Sequence, residues 1–380
     1  MDFQLNEELT LVRDMARGFA ETELAPRATR HDRQGSIDRE VFARMTELGL
    51  WGLTIPEKYG GAGMGNMALS VALEEVNRVC ASTGVTLSVH NSLLGAPITK
   101  FGSEASKQEW LPRLATGEII GAYCLTEPNA GSDAAALRTT ARIDGDDFVI
   151  DGTKVWVTNG GICGLMLVYA RTDTTASKAK GISAILVPKN TKGLAVGAPE
   201  KKCGIRGSST TEIQFDNVRV PRKNLVGALN DGFRIAMDTL DGGRIGIASQ
   251  AVGIAQACLE AATKYSKERE QFGRPIADFQ AIQWKLADMS TRIDASRLLV
   301  MKAAWLRDRK ERCTQAAAQA KLYASQTANY CADECLQIHG GAGYTDHFQV
   351  ERLFRDARIT EIYEGATDIQ RIVVARGVLA

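Results

Sequence analysis

The hydrophobic pattern of the chain changes its period twice, and this feature limits the possible folds more than any other. Up to about residue 120, apolar residues recur every three or four positions, which predicts amphipathic helices. Between residues 121 and 228, segments such as TEIQFDNVRVP alternate apolar and polar residues, which predicts half-buried strands. Helical spacing then returns. This order is not that of a dinucleotide-binding fold, in which strands and helices alternate.

The C-terminal region contains three long repeats in which small or apolar residues step by four and three. They begin at Ala248, Ile282 and Ala317. Small residues at contact positions let helices approach closely, so the repeats predict a packed helical bundle. The predicted fold class is therefore α+β. We expect an N-terminal helical domain (residues 1–120), a middle β-domain (121–228) and a C-terminal helical domain (229–380).

Three local signals predict where elements end or turn. Pro26 should end or kink the first helix, because proline cannot continue the helical hydrogen bonds. Asp151-Gly152 lies between two runs of strand-forming residues and predicts a β-hairpin turn. The last helix should run from Thr367 to Val378, with Thr367 or Ala366 near its cap.

Composition excludes some functional classes. Among 380 residues, 44% are hydrophobic and 24% charged, as in an ordinary soluble protein. The formal net charge of +1 argues against a nucleic-acid surface, which needs an excess of basic residues. No apolar stretch approaches the roughly 20 residues that span a bilayer, and charged residues interrupt the N-terminus. We therefore expect an intracellular protein without membrane insertion.

The 8 cysteines contain no CxxC pair. Cys331, Cys335 and His339 are spaced by four and would share one helix face. A metal site would need a fourth ligand, and none lies nearby in sequence, so buried packing is the preferred interpretation and no metal is predicted. Unpaired thiols fit a reducing compartment.

Four segments carry candidate functional residues. They are YCLTEPNAGSD (123–133), WVTN (156–159), HGGAGY (339–344) and RDARITEIYEGATDIQR (355–371). Each alone has an ordinary explanation. The first could be a capped surface turn, the second a tryptophan in a core, the third a helix C-cap and the fourth a carboxylate at a helix start. Their order and spacing are more informative than any one of them.

Together the segments resemble the acyl-CoA dehydrogenase family over essentially the whole chain. YCLTEPNAGSD is similar to the first family signature and QFGRPIADFQAIQWKLADM (271–289) to the second; QIHGGAGY and IYEGATDIQR follow in the expected order. GIRGSST, CASTGV and GRIGIASQA further resemble the short-chain, butyryl-type branch. The resemblance implies an N-terminal all-α domain, a β-barrel-like middle domain, a C-terminal four-helix bundle, bound FAD and a homotetramer built as a dimer of dimers.

The resemblance also implies the roles of individual residues. The implied cofactor-binding residues are Tyr123, Leu125, Thr126, Ser132, Trp156, Thr158, Arg269, Phe272, Gln280, Gln337, Gly340, Gly341, Ala366, Thr367 and Asp368. Among them, Arg269, Gln280 and the segment 337–341 should reach the FAD of a neighbouring subunit. The implied substrate-binding residues are Ser132, Asp241, Arg244 and Gly365.

Glu364 is the implied catalytic base. Some family members carry the base on another helix, at the position held here by Gly243, and glycine cannot act as a base. Glutaryl-specific members have arginine where this chain has Gly84, which argues against a dicarboxylate substrate. Two departures from many relatives are Asp368 in place of glutamate and Ala366 in place of a hydroxyl residue.

The implied reaction is removal of the α-proton of an acyl-CoA by Glu364, with the β-hydride passing to the flavin, to give trans-2-enoyl-CoA. Electrons should then pass to an electron-transferring flavoprotein. Alternatives are an acyl-CoA oxidase, a dehydrogenase of branched, cyclic or aryl acyl groups, and a non-catalytic acyl-CoA-binding protein. A cytoplasmic location is expected for a bacterial chain, and the mitochondrial matrix for a processed eukaryotic one.

Overall fold

The computed structural model describes residues 4–177 and 179–380. Its N-terminal part consists of helices with short connections. The helices are α1 (Glu7–Phe19), α2 (Ala28–Gln34), α3 (Arg39–Glu47), α4 (Gly65–Val79), α5 (Ala81–Ser88), α6 (Ala96–Phe101) and α7 (Glu104–Ala115). Asn6 caps α1 by accepting a hydrogen bond from the Leu9 N–H at 2.8 Å. Two wider, π-helical stretches follow α1 and α5, at Ala20–Leu24 and Val89–Gly95.

The middle part is one sheet that wraps around its own core. Its strands are β1 (Gly121–Cys124), β2 (Thr140–Asp144), β3 (Asp147–Thr158), β4 (Leu165–Arg171), β5 (Ile182–Pro188), β6 (Leu194–Val196), β7 (Thr210–Pro221) and β8 (Leu225–Val226). The strand order is β6-β7-β3-β2-β4-β5-β8, and β1 pairs in parallel with β4. Met166 and Val168 face the inner core of the sheet, whereas Leu167 and Tyr169 pack against the helices. Alternation along β4 therefore buries both faces.

The predicted hairpin at Asp151-Gly152 is wrong. β3 runs through both residues, and its pairing with β7 shifts register between Ile150 and Gly152. Gly152 has a φ of +146°, and a Cβ there would lie 2.6 Å from the Thr139 Oγ1. Close approach of Thr139, the residue before β2, therefore requires the glycine. The chain reverses earlier, between β2 and β3, where Gly145 has a φ of +61°. A bulge and a turn use the same residue types, which explains the error.

The C-terminal part is dominated by three long helices. Its elements are α8 (Gly232–Glu268), β9 (Glu270–Gln271), β10 (Arg274–Pro275), α9 (Gln280–Asp308), α10 (Thr314–His339), α11 (Val350–Arg358) and α12 (Thr367–Leu379). α8, α9 and α10 pack pairwise, and α11 and α12 pack on α10. The α+β fold class with helical, β and helical parts is confirmed. The domain limits at 120/121 and 228/229 stay predictions; each falls between two elements.

α8 connects all parts of the molecule. It contacts α4 and α5 of the N-terminal part, β4 and β5 of the sheet, and α9 and α10. By length and composition it could cross a membrane, but 78% of its most apolar window is buried inside the protein. Packing as the central core helix explains its apolar character.

Candidate active site

A cavity of about 730 Å³ lies where the three parts of the chain meet. Its apolar walls include Val89 and Leu93 from the π-helical stretch after α5, and Met237 and Leu240 from α8. Ten of the residues implied by sequence line it: Tyr123, Leu125, Thr126, Ser132, Trp156, Thr158, Arg244, Glu364, Gly365 and Ala366. Side chains that are far apart in sequence, on β1, β3, α8 and the segment before α12, therefore share one cavity.

Glu364 lies in a short segment between α11 and α12 with unusual backbone geometry. Glu364 has a φ of +54° and Gly365 a φ of +90°, so two successive residues are left-handed. This conformation suits glycine but costs a residue with a Cβ about 1 kcal/mol or more. Two donors hold the Gly365 carbonyl: the Lys321 Nζ at 2.7 Å and the Gln370 Nε2 at 2.8 Å. The strain is thus offset by specific hydrogen bonds.

One oxygen of the Glu364 carboxyl group is shielded from water, although the residue as a whole is partly exposed. Its Oε2 is buried, and within residues 4–177 and 179–380 it has no hydrogen-bond partner. Burial raises the pKa of Glu364 to about 7, although the nearby positive charges of Arg244 and Lys321 act in the opposite direction. Desolvation disfavours the charged form and makes the carboxylate a stronger base than an exposed one. Such a group can accept a proton near neutral pH.

α8 approaches this carboxyl group through a glycine. A Cβ on Gly243 would lie 2.7 Å from the Glu364 Oε2 and 2.8 Å from the Leu93 Cδ2, so no larger residue fits without movement. The next residue, Arg244, donates from Nη1 to the Asp241 Oδ1 at 2.9 Å, and Thr314 donates to the Asp241 Oδ2 at 2.6 Å. Asp241 is buried and does not line the cavity. It therefore orients Arg244.

Trp156 lines the cavity instead of packing in a core. Its side chain is 62% exposed, whereas tryptophans in strands usually pack inside. The reason is a second irregularity in β3, between Lys154 and Val157, at which Trp156 takes a φ of +59°. This bulge turns the ring outward into the cavity beside Thr158. An exposed flat ring is suited to stacking on an aromatic ligand.

A buried ion pair supports this wall. Lys154 is fully buried, and its Nζ donates to the Glu127 Oε1 at 2.7 Å and to the Leu125 carbonyl at 3.0 Å. Glu127 also accepts the N–H groups of Arg138 and Thr139 at 2.6 and 2.9 Å. The ion pair links the turn after β1, which contains Glu127, to β3, the strand that carries Trp156.

The remaining predicted residues lie elsewhere. Thr367 begins α12 beside the cavity, and Asp368 is exposed. A separate surface cluster contains Arg269, Phe272, Gln280, Gln337, Gly340 and Gly341, all exposed. Phe272 is 93% exposed at the β9–β10 turn. His339, next to Gly340, stacks on Tyr265 with ring centroids 4.2 Å apart, and Arg269 N–H bonds to the Tyr265 carbonyl. One chain does not bring this cluster to the cavity.

Several residues of the site had no individual role predicted from sequence. Within the candidate segment 355–371, Tyr363, Ile359 and Ile362 add apolar surface to the cavity, and Arg355 and Arg358 add positive charge. Lys321 was also missed, although a signal was present. It lies four residues after Ala317 and three before Ala324, so it occupies the buried face of α10. A lysine on a face of alanines is an anomaly that calls for a specific partner.

Cys331, Cys335 and His339 do share one helix face, and Cys331 and Cys335 are fully buried. The His339 Nδ1 lies 2.8 Å from the Cys335 carbonyl oxygen. Over the described part of the chain, no group of three or more His, Cys, Asp or Glu side chains has the arrangement of a metal site.

Three family models match the chain in order. They describe the N-terminal, middle and C-terminal domains of acyl-CoA dehydrogenase and match residues 6–118, 122–218 and 230–379. Almost the whole chain is therefore accounted for by one arrangement of domains.

Individual relatives agree with this result. The mitochondrial short-chain specific acyl-CoA dehydrogenase of Mus musculus is 49% identical over 372 residues, covering 98% of this chain and 90% of that protein. Butyryl-CoA dehydrogenase from Megasphaera elsdenii has a TM-score of 0.98 at 42% identity, with 100% of both chains covered. A chain from work on the electron transferring flavoprotein of Acidaminococcus fermentans and flavin-based electron bifurcation has a TM-score of 0.98 at 45% identity, with 100% of both chains covered.

Proposed function

The chain belongs to the acyl-CoA dehydrogenase family, and we propose that it oxidises a short-chain acyl-CoA to the trans-2-enoyl-CoA with Glu364 as the base. It is an oxidoreductase whose cofactor is FAD. One observation carries the proposed mechanism. The buried carboxylate oxygen of Glu364, which has no hydrogen-bond partner among the described residues, and the outward-facing ring of Trp156 line the same cavity.

The cavity has features that suit a flavin. Trp156 and Thr158 offer a flat ring and a hydroxyl on one wall, and the buried Tyr123 hydroxyl has no hydrogen-bond partner in residues 4–177 and 179–380. Ser132 follows Gly131, around which a Cβ would meet no atom within 4 Å, so the turn leaves room for a ligand. These residues would hold FAD, which when bound supplies the acceptor for the β-hydride of the substrate.

Glu364 would contribute in two ways. Its carboxylate takes the α-proton, and apolar surroundings make it a stronger base near neutral pH than an exposed carboxylate. Among the described residues, none accepts a hydrogen bond from the Glu364 N–H, which remains available to donate to the thioester carbonyl oxygen. A donor aimed at that oxygen stabilises the negative charge that develops as the α-proton leaves. Arg244 adds a fixed positive charge on the same side.

Close packing beside Glu364 supports a short acyl chain. A Cβ on Gly246 would lie 2.3 Å from the Ser88 Oγ, so α8 and α5 leave no channel there. The Tyr363 hydroxyl donates to the buried Gln250 Oε1, and the Gln250 Nε2 donates to the Ala81 carbonyl at 3.1 Å. We infer that these contacts limit the space left for a long acyl chain.

The proposed assembly is a homotetramer in which the exposed cluster around Arg269 and Gly340 binds the FAD of a neighbouring subunit. Exposure of Phe272 and of Trp284, which is 65% exposed, supports burial of this surface against another copy.

The proposed electron acceptor is an electron-transferring flavoprotein, consistent with the similarity to the Acidaminococcus fermentans chain. We propose a cytoplasmic location for a bacterial chain and the mitochondrial matrix for a processed eukaryotic one; the mouse relative is described as mitochondrial.

Replacement of the base is the direct test. Glu364→Gln should still bind FAD and acyl-CoA but reduce the rate of flavin bleaching by acyl-CoA at least about 10³-fold, because an amide cannot accept the α-proton. Stopped-flow absorbance measures this rate. Glu118→Gln is the control; Glu118 is exposed, pairs with Arg113 at 2.8 Å and does not line the cavity, so this variant should keep most of the activity. Near wild-type bleaching by Glu364→Gln would overturn the assignment.

The rate should depend on pH through the carboxyl group of Glu364. Only the ionised form accepts a proton, and its pKa is about 7. Below pH 7 the bleaching rate should therefore fall about tenfold per pH unit, and above pH 7 it should level off. A rate that stays constant from pH 5 to pH 8 under saturating butyryl-CoA would contradict this expectation.

Trp156 should contribute to cofactor retention. Trp156→Ala removes the flat ring and should lower the FAD content of the purified protein several-fold, whereas Trp156→Phe should preserve most of it. The ratio of flavin to protein absorbance measures occupancy. Trp305→Ala, which removes a 47% exposed tryptophan on α9, serves as the control. Unchanged occupancy in Trp156→Ala would argue against stacking.

Chain length should be limited by the packing beside Glu364. Butyryl-CoA should be oxidised with a kcat/KM at least about tenfold above that of octanoyl-CoA, since each methylene without space costs on the order of 1 kcal/mol or more. Leu93→Ala should narrow this difference, because the Leu93 side chain packs beside the carboxylate. A panel of straight and branched acyl-CoAs measures the preference for acyl chain length and branching. Assays with an artificial electron acceptor and with oxygen distinguish a dehydrogenase from an oxidase. Equal activity on long chains would refute the short-chain assignment.

A further inference from the structure

Lys321 on α10 is a buried lysine that forms no ion pair with any residue the structure describes. Its side chain is fully buried, and its Nζ donates to the Gly365 carbonyl at 2.7 Å. In residues 4–177 and 179–380, no carboxylate oxygen lies within 4.0 Å of that Nζ, whereas the other fully buried lysine, Lys154, pairs with Glu127. Burying an ammonium group without a direct counter-ion costs several kcal/mol. A residue retained at that cost calls for a specific role.

The hydrogen bond of Lys321 falls on the residue next to the base. The Gly365 carbonyl follows Glu364, whose left-handed backbone needs support. The Gln370 Nε2 supplies the other donor to this carbonyl and lies 3.3 Å from the Glu364 carbonyl oxygen. Lys321 and Gln370 come from different helices, α10 and α12. The two donors therefore fix the backbone of Glu364 from two directions.

The charge of Lys321 also acts on the base. Three charged groups face Lys321: Glu364 and Glu361 from the segment before α12, and Arg244 from α8. Burial lowers the pKa of Lys321 to about 8, with the two carboxylates opposing the change. At pH 7 the protonated form then exceeds the neutral form about tenfold. Glu364 faces Arg244, Lys321 and the hydroxyl groups of Tyr123 and Tyr363.

We propose that Lys321 is a positioning residue for the base: its ammonium group holds the Gly365 carbonyl and thereby the left-handed backbone of Glu364, and its charge stabilises the ionised carboxylate in the apolar cavity. The inference deepens the proposed function and rests on it. Lys321 touches neither substrate nor cofactor in this role; it acts through Glu364. Arg244 supplies charge to the same carboxylate from α8, but its guanidinium donates to Asp241, whereas Lys321 donates to the Gly365 carbonyl.

Two substitutions separate the charge from the hydrogen bond. Lys321→Met removes both and fills the same volume with an apolar side chain, which buried sites often accept without loss of stability. Lys321→Gln removes the charge and keeps a donor for the Gly365 carbonyl. Lys285→Met is the control, because Lys285 on α9 contacts α10 through Glu334, away from the base. All variants are measured as the purified FAD-containing protein.

The first readout is the pH profile of flavin bleaching by butyryl-CoA. In Lys321→Met and Lys321→Gln, loss of the positive charge should move the midpoint of the profile up by about one pH unit, so that the rate at pH 6 falls about tenfold. At high pH, Lys321→Gln should retain a higher limiting rate than Lys321→Met, because it keeps the hydrogen bond. Lys285→Met should leave the midpoint unchanged.

The second readout does not depend on turnover. The difference between infrared spectra of the parent protein and its Glu364→Gln variant isolates the carboxyl band of Glu364, whose pH titration should shift in the same direction when Lys321 is replaced. An unchanged midpoint in both Lys321 variants overturns the charge role, and equal limiting rates overturn the backbone role. If the unsubstituted protein is not bleached by any acyl-CoA, the proposed function fails, while the infrared titration still decides whether Lys321 acts on Glu364.

Discussion

The site depends on keeping one carboxylate in an apolar cavity without neutralising it directly. Glu364 has a buried oxygen that is unpaired within the part of the chain that the structure describes, and burial raises the pKa of Glu364 to about 7. A direct ion pair would lower that pKa and make the group a weak base. Arg244 and Lys321 instead act from a distance, from α8 and α10. The arrangement keeps the carboxylate sufficiently basic to take a proton, yet sufficiently stabilised to be ionised near neutral pH.

This requirement explains why three parts of the chain must meet at one place. Apolar cover comes from the π-helical stretch Val89–Gly95, the opposing wall from β1 and β3, and the charged groups from the C-terminal helices. α8 holds these parts together, and its Gly243 brings the helix backbone against the carboxyl group of Glu364. The glycine is thus explained by close approach rather than by flexibility. A change in packing along α8 would reach every wall of the cavity.

Much of this was readable from sequence, but not the parts that depend on irregular backbone. Periodicity predicted the helical and β regions, because burial of one face imposes the period directly. It failed at Asp151-Gly152, where a close contact with Thr139 rather than a turn needs the glycine. It also could not foresee the orientation of Trp156, which depends on a register shift against a strand distant in sequence. The role of Lys321 was not predicted, because the helical repeat of alanines on α10 was interpreted as a whole and the one lysine on its buried face was not considered separately.

On both walls of the cavity, a buried lysine lies beside a residue with a strained backbone. Trp156 and Glu364 both adopt left-handed backbone conformations that cost a residue with a Cβ roughly 1 kcal/mol or more. Beside each lies a fully buried lysine that donates to a backbone carbonyl: Lys154 to Leu125 at 3.0 Å and Lys321 to Gly365 at 2.7 Å. The difference lies in the counter-ion. Lys154 pairs with Glu127, which neutralises its charge. Lys321 has no such partner in the described residues, and its charge acts on the carboxyl group of Glu364.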